Sequence, residues 1–199
     1  MSNNYKTIFE RRFLIEGLPE PLNPRDSHWQ IFDNYIENTR IRLRKIRVPE
    51  TKNWTRILEQ KFVFEDNNFS KLKISQMFLN EKEYKTLEHF KGNEIRKNRY
   101  FLQHNDKQVA IDIFLGELWG LNIGLVEFEN EVDFSKFELP PFSIAEVTKN
   151  KFFLGENLVG KTFAEIQMEV RSKEVRSKEV RSNKTQFLSP LTSHFSLLT

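Results

Sequence analysis

Before position 150, apolar and charged residues alternate with a period of two over most of the chain, the signature of strands whose two faces meet different surroundings. In Thr7-Ile8-Phe9-Glu10-Arg11-Arg12-Phe13-Leu14-Ile15, one face carries Phe9, Phe13 and Ile15, and the other carries Ile8, Glu10 and Arg12. A loop with Pro19, Pro21 and Pro24 follows, then a second strand over Gln30 to Glu37. Thr39 to Val48 sets Arg40, Arg42 and Arg44 against Ile41 and Leu43, and Arg56 to Glu65 sets Glu59 and Lys61 against Leu58, Phe62 and Phe64. Further strands are predicted over Glu94–Gln103, Gln108–Phe114, Ile123–Glu129 and Ser143–Thr148.

Helices are few. Asn80 with Glu83 forms a capping-box pattern ahead of Tyr84, Leu87 and Phe90, and Val132 to Phe137 predicts a short second helix. So few helices cannot supply the crossovers that a parallel sheet needs. The expected class is antiparallel α+β.

From about Ile166 the pattern changes. Val-Arg-Ser-Lys-Glu occurs at 170–174 and 175–179, and Val180-Arg181-Ser182 begins a third copy. A five-residue step spreads the valines around a helix axis and makes no apolar stripe. Residues 1–165 are therefore read as one domain, and 166–199 as a repetitive charged tail, helical or disordered.

Composition sharpens this picture at two points. The 199-residue chain holds 31 Lys and Arg against 28 Asp and Glu, but the tail from Glu169 onward accounts for the whole excess of three. The first 168 residues are formally neutral, so bulk charge gives no argument for nucleic acid as a partner. With no cysteine, a disulfide framework, a thiolate metal site and a cysteine nucleophile are all excluded. The polar start, Met1 to Lys6, and the lack of any long apolar run predict a cytoplasmic protein with no membrane contact. His28, His89, His104 and His194 have no metal-ligand spacing, and Trp29, Trp54 and Trp119 are read as packing residues.

The charged faces carry the chemistry. Arg12, Arg40, Arg42, Arg44, Lys61, Lys97 and Arg99 recur at alternate positions, so within a strand they point the same way. Glu10, Glu59, Glu127 and Glu129 share such positions. Alternation alone leaves two arrangements open: a solvated outer face, or the lumen of a closed barrel. A lumen lined by these cations would need water and a polyanion, because unpaired buried charge costs several kcal/mol per ion. A phosphate chain suits it, since Arg and Lys supply charge-assisted donors.

Taken in order, the segments resemble the triphosphate tunnel metalloenzyme (CYTH) family, which includes class IV adenylate cyclases, thiamine triphosphatases and inorganic triphosphatases. The resemblance runs from about residue 7 to 158. Ile8-Phe9-Glu10-Arg11-Arg12-Phe13-Leu14 resembles the family's opening E-x-E-x-K-F-L, Arg42-Leu43-Arg44 its R-x-R, Lys61 its tunnel lysine and Lys97-Asn98-Arg99-Tyr100 its K-x-R-Y. Ile111-Asp112-Ile113-Phe114, Gly116-Glu117 and Gly120-Leu121 lead toward the late E-x-E, and Phe137-Glu138-Leu139-Pro140-Pro141 with Glu146-Val147-Thr148 resembles the closing segment.

The resemblance implies a closed eight-stranded antiparallel β-barrel with a few flanking helices, acting on a triphosphate-containing small molecule as a monomer or homodimer. It implies phosphate binding by Arg40, Arg42, Arg44, Lys61, Lys97 and Arg99. It implies a site for Mg²⁺ or Mn²⁺ at Glu10, Glu127 and Glu129, and catalysis through Glu10, Arg12 and Glu127. The acidic set is thinned, however. Ile8 stands for the first Glu of the opening motif, Leu125 for the first of the late pair, and Lys73-Ile74-Ser75-Gln76-Met77 for the acids of the middle strand. Arg12 replaces a lysine and cannot become a neutral base. Three functions are therefore expected as alternatives: a divergent metal-dependent triphosphatase, a weak or inactive phosphate-chain binder, or another polyanion role such as RNA end binding.

Overall fold

The computed structural model describes residues 5–64 and 68–172. It consists of two compact units that divide after Lys161. The second is helical over 163–172, opened by a reciprocal cap. The Thr162 backbone N–H donates to Glu165 Oε2 at 2.9 Å, and the Glu165 N–H returns to Thr162 Oγ1 at 3.4 Å. The charged repeat beyond Ser172 lies outside the described residues.

The first unit is the barrel. Its strands are β1 (Lys6–Ile15), β2 (Trp29–Ile36), β3 (Ile41–Val48), β4 (Asn53–Val63), β5 (Lys71–Phe78), β6 (Gly92–His104), β7 (Lys107–Phe114), β8 (Asn122–Phe128) and β9 (Ser143–Glu146). All pairings are antiparallel, in the order β5-β4-β3-β2-β6-β7-β8-β1, and β1 then closes on β5. Closure leaves eight strands and no free edge in the ring. The eighth strand is β5, which the alternation alone did not mark. The expected last strand, at 143–146, lies outside the ring and pairs with the second half of β1. In β5 the polarity is the reverse of the other strands: Lys71, Lys73 and Ser75 fall on the outer face, while the lumen face reads Leu72, Ile74, Gln76 and Phe78 and carries no charge.

Local chemistry fixes the connections. Asn105 and Asp106 both take positive φ (47° and 57°), the two-residue hairpin geometry that joins β6 to β7. Helix α1 (Glu81–Leu87) carries the predicted capping box on Asn80 and Glu83, and α2 (Glu131–Lys136) is capped by Asn130. A 3₁₀ turn at Lys151–Phe153 leads into the short α3 (Gly155–Leu158).

Apolar clusters hold the barrel, among them Ile31, Ile46 and Ile57 of β2, β3 and β4. Outside β1, β6, β7 and β8, a core of Phe13, Ile15, Tyr100, Val109, Ile111, Val126, Phe128 and Phe137 is covered by Phe134, Leu139 and Phe142. Gly124 on β8 leaves room for the Phe13 ring, since a Cβ there would lie 2.1 Å from Phe13 Cε2. Inside, Ile8 and Leu72 pack with Leu154, which seats the α3 segment in the lumen wall. Gly155 permits this approach, because a Cβ would lie 2.0 Å from the Tyr35 hydroxyl. Among the described residues no helix is long and apolar enough to cross a membrane.

Candidate functional site: a charged tunnel

A cavity of about 530 Å³ runs through the barrel, a size typical of small-molecule sites. Its walls follow from the period of two: alternate residues of every strand face inward. β1 contributes Glu10 and Arg12, β3 Arg42 and Arg44, β4 Glu59 and Lys61, β6 Lys97 and Arg99, and β7 Asp112. Asp33 stands beside them on β2, almost wholly buried.

These charges form three clusters. In the first, Asp112 on β7 accepts from Lys97 Nζ at 2.7 Å and from Arg99 Nε and Nη2 at 2.6 and 2.7 Å. In the second, Asp33 accepts from Arg44 Nε and Nη2 at 2.5 and 2.8 Å and from Arg42 at 3.4 Å. Arg42 also bonds Glu59, which accepts from Gln76 Nε2 at 2.6 Å. In the third, Glu10 holds Arg12 on one oxygen at 3.1 Å and Lys61 on the other, and Lys61 reaches Glu127 at 3.5 Å.

Burial and pairing pull each acid in opposite directions, and pairing wins. Burial alone would raise the Glu10 carboxyl, but Lys61 and Arg12 bring it down to about 2. Asp33 and Asp112 sit well below the usual carboxylate range for the same reason, held by Arg42 and Arg44 and by Arg99 and Lys97. Glu59 is lowered against its burial by Arg42 and Arg44. Among the cations, Lys97 stands apart. Burial depresses its ammonium to about 8, with Arg99 adding to the effect, despite the Asp112 contact.

The predicted residues do not all converge. Arg42, Arg44, Lys61, Lys97 and Arg99 meet in the lumen. Arg40 precedes β3, is exposed, and lies over the Phe62 ring at 4.2 Å on the cavity's edge. Arg12 is 3% exposed and clamps the carbonyls of Phe69 and Thr148 at 2.7 and 2.8 Å. Glu127 faces Glu10 across the β1–β8 pairing with its side chain half exposed. Glu129 lies beyond the end of β8, does not line the cavity, and pairs with Lys6 at 2.7 Å.

Sequence reasoning missed Asp33 and Asp112 as lumen charges. Asp112 falls in the apolar run Ile111 to Phe114, and Asp33 sits two residues from Ile31 in a strand with aromatic neighbours. The signal was present in parity: each has a cation as its direct cross-strand neighbour, Asp33 opposite Arg44 and Asp112 opposite Arg99.

The donor set can be tested against a divalent cation. Both Glu10 oxygens are taken by cations of the chain, and Lys61 already bridges to Glu127. Two positions along the chain from this pair stand Ile8, Arg12 and Leu125, which offer no carboxylate oxygen, and Glu129, which does not line the cavity and is paired with Lys6. Among the described residues, no three Asp, Glu, His or Cys side chains gather to hold a metal. The residues present do not fit a resident Mg²⁺ or Mn²⁺, which takes its ligands from oxygen.

An eight-stranded antiparallel tunnel with a charged lumen is the fold that the resemblance implied. No family model and no curated protein matches the chain. Among solved structures, it is similar to the inorganic triphosphatase NE1496, at TM-score 0.50 and 21% identity over 76% of this chain and 93% of that one. A second structure, described as the hypothetical protein NE1496, aligns at TM-score 0.51 and 20% identity over 78% of this chain and 99% of that one. At this identity the likeness establishes the fold.

Proposed function

We propose that this protein binds the phosphate chain of a linear triphosphate, or of a nucleoside triphosphate, inside the barrel. The observation that carries this reading is the gathering of guanidinium and ammonium donors in the lumen. Among the described residues, six cations (Arg12, Arg42, Arg44, Lys61, Lys97 and Arg99) face four buried acids (Glu10, Asp33, Glu59 and Asp112) and the half-exposed Glu127. The buried Nε–H groups of Arg12 and Arg42 have no acceptor among the described residues. Leaving such a donor unsatisfied costs about 1–3 kcal/mol, and the cations that line the cavity favour an anionic chain of oxygens through charge-assisted hydrogen bonds.

The test is calorimetry with tripolyphosphate in EDTA. Saturable binding that weakens in Lys61→Ala and Arg99→Ala supports the reading, and its absence overturns it.

Hydrolysis is the second reading, favoured by the half-exposed Glu127 carboxylate and by the fold it shares with an inorganic triphosphatase. It would require Mg²⁺ or Mn²⁺ arriving with the phosphate chain, which can fill most of the ion's coordination itself. Phosphate release from tripolyphosphate that Glu127→Ala abolishes supports it; release no faster than the buffer blank removes it. An RNA partner would show instead as strongly salt-dependent RNA binding that tripolyphosphate leaves in place.

A further inference from the structure

Glu10 and Glu127 occupy directly opposed positions on β1 and β8. Like charges in that arrangement repel, because cross-strand Cβ atoms lie only about 4.5–5.5 Å apart. A cation between them removes the repulsion, and the chain supplies one from a distance. Lys61 starts on β4, separated from β1 by the whole of β5, and its side chain crosses to hold Glu10 and reach Glu127 at 3.5 Å. The surroundings select a monovalent, chain-borne cation. Ile8, Leu125 and Ile74 form apolar wall, and Arg12 takes the other Glu10 oxygen.

We infer that the Lys61 ammonium is the built-in counter-ion of the Glu10–Glu127 pair, taking the place of a divalent cation, so that the tunnel grips its phosphate chain without metal. The second half of this statement rests on the phosphate-binding reading; the first half does not. Removing the ammonium while leaving both carboxylates exposes two facing oxygen donors. Lys61→Ala and Lys61→Met are therefore expected to gain a divalent-cation site that the native protein lacks.

Mn²⁺ titration of the full-length protein, followed by the paramagnetic resonance signal of free Mn²⁺, reads this directly. The native chain should leave the signal of free Mn²⁺ intact through the micromolar range. Lys61→Ala and Lys61→Met should bind one equivalent at least tenfold more tightly, and Lys61→Met/Glu127→Gln should lose that gain. Thermal melting of each variant confirms that it is folded.

A native Mn²⁺ site that Glu127→Gln abolishes would overturn the inference, as would two folded Lys61 variants that bind no more Mn²⁺ than the native chain. Calorimetry separates this from the broader reading. Tripolyphosphate binding that occurs only with Mn²⁺ overturns the built-in counter-ion and keeps the phosphate site, whereas no binding under either condition removes the phosphate site and leaves the Mn²⁺ result standing.

Discussion

Asp112→Asn isolates what the buried acids contribute. The carboxylate is 2% exposed and receives three charge-assisted hydrogen bonds, from Lys97 at 2.7 Å and from Arg99 at 2.6 and 2.7 Å. The amide preserves volume but removes the charge and turns an N–H group toward two cations. Breaking a buried ion pair on one side costs about 3–5 kcal/mol, because the partner charge is left uncompensated. For a protein of this size each kcal/mol moves Tm by roughly 2–4 °C, so the expected drop is about 6–20 °C. The loss should depend on pH in a particular direction. Lys97 is already depressed to about 8 and can release its proton once Asp112 is gone, which leaves Arg99 alone to be neutralised. The variant should therefore be more damaged at pH 6 than at pH 9. Differential scanning fluorimetry at both pH values, with and without tripolyphosphate, reads all three effects. Phosphate oxygens would replace the missing carboxylate, so the ligand should raise the variant's Tm more than the native Tm. A variant melting within about 2 °C of native, or a ligand-induced rise equal in both, would refute the claim that Asp112 stands in for a bound anion.

Four shorter predictions follow from the same geometry. Tripolyphosphate affinity should fall as pH rises from 7 to 9.5, since Lys97 loses its charge near 8; the drop should be about tenfold and should flatten in Lys97→Met, and calorimetry across that range checks it. Acid should unfold the barrel between about pH 4.5 and 2, because Glu10, Asp33, Glu59 and Asp112 are all held below their ordinary values. Carboxyls lowered in this way give stability that is whole above the unfolded value and lost as pH falls through the folded one, so urea midpoints that stay flat down to pH 2.5 would contradict the pairing. Arg12→Lys should cost about 1.5–3 kcal/mol in urea unfolding, since one ammonium cannot replace a guanidinium that binds Glu10 and the carbonyls of Phe69 and Thr148 together. Gly124→Ala should cost about 1–3 kcal/mol by forcing a methyl into the Phe13 ring, whereas Gly17→Ala, with nothing within 4 Å, serves as the silent control.

The barrel was legible because period-two alternation is a local property, and its lumen face carried charge where an ordinary core carries Val or Ile. Closure was less legible. Of the eight ring strands, β5 escaped the pattern because its lumen face turns apolar at Leu72 and Ile74, where α3 packs through Leu154. That contact joins residues more than eighty positions apart, and no window along the chain can register it. Spacing by two likewise placed Arg42, Arg44, Lys61, Lys97 and Arg99 on one face, but it could not say where a strand begins. Arg40 falls one residue before β3 and lies exposed over Phe62 at the cavity's edge, and Glu129 falls one residue after β8 and turns to Lys6.

The missed acids change the electrostatic picture most. A lumen read from its cations alone is a strongly positive cavity that would be unstable without a ligand. With Asp33, Glu59, Asp112 and Glu10 in place, each of those six cations already has a carboxylate partner, so the tunnel needs no ligand to balance its charge. An incoming phosphate chain therefore does not fill a void of unpaired charge; it competes with these four carboxylates and Glu127 for the same guanidinium and ammonium groups. Competition lowers the net gain of each contact and favours ligands that present several anionic oxygens together, because only these can take over a cluster at once. That is a physical reason for such a tunnel to select a chain of phosphates over a single one. It also makes Lys61 and Glu127, joined by the longest of the contacts around Glu10, the natural place for the exchange to begin.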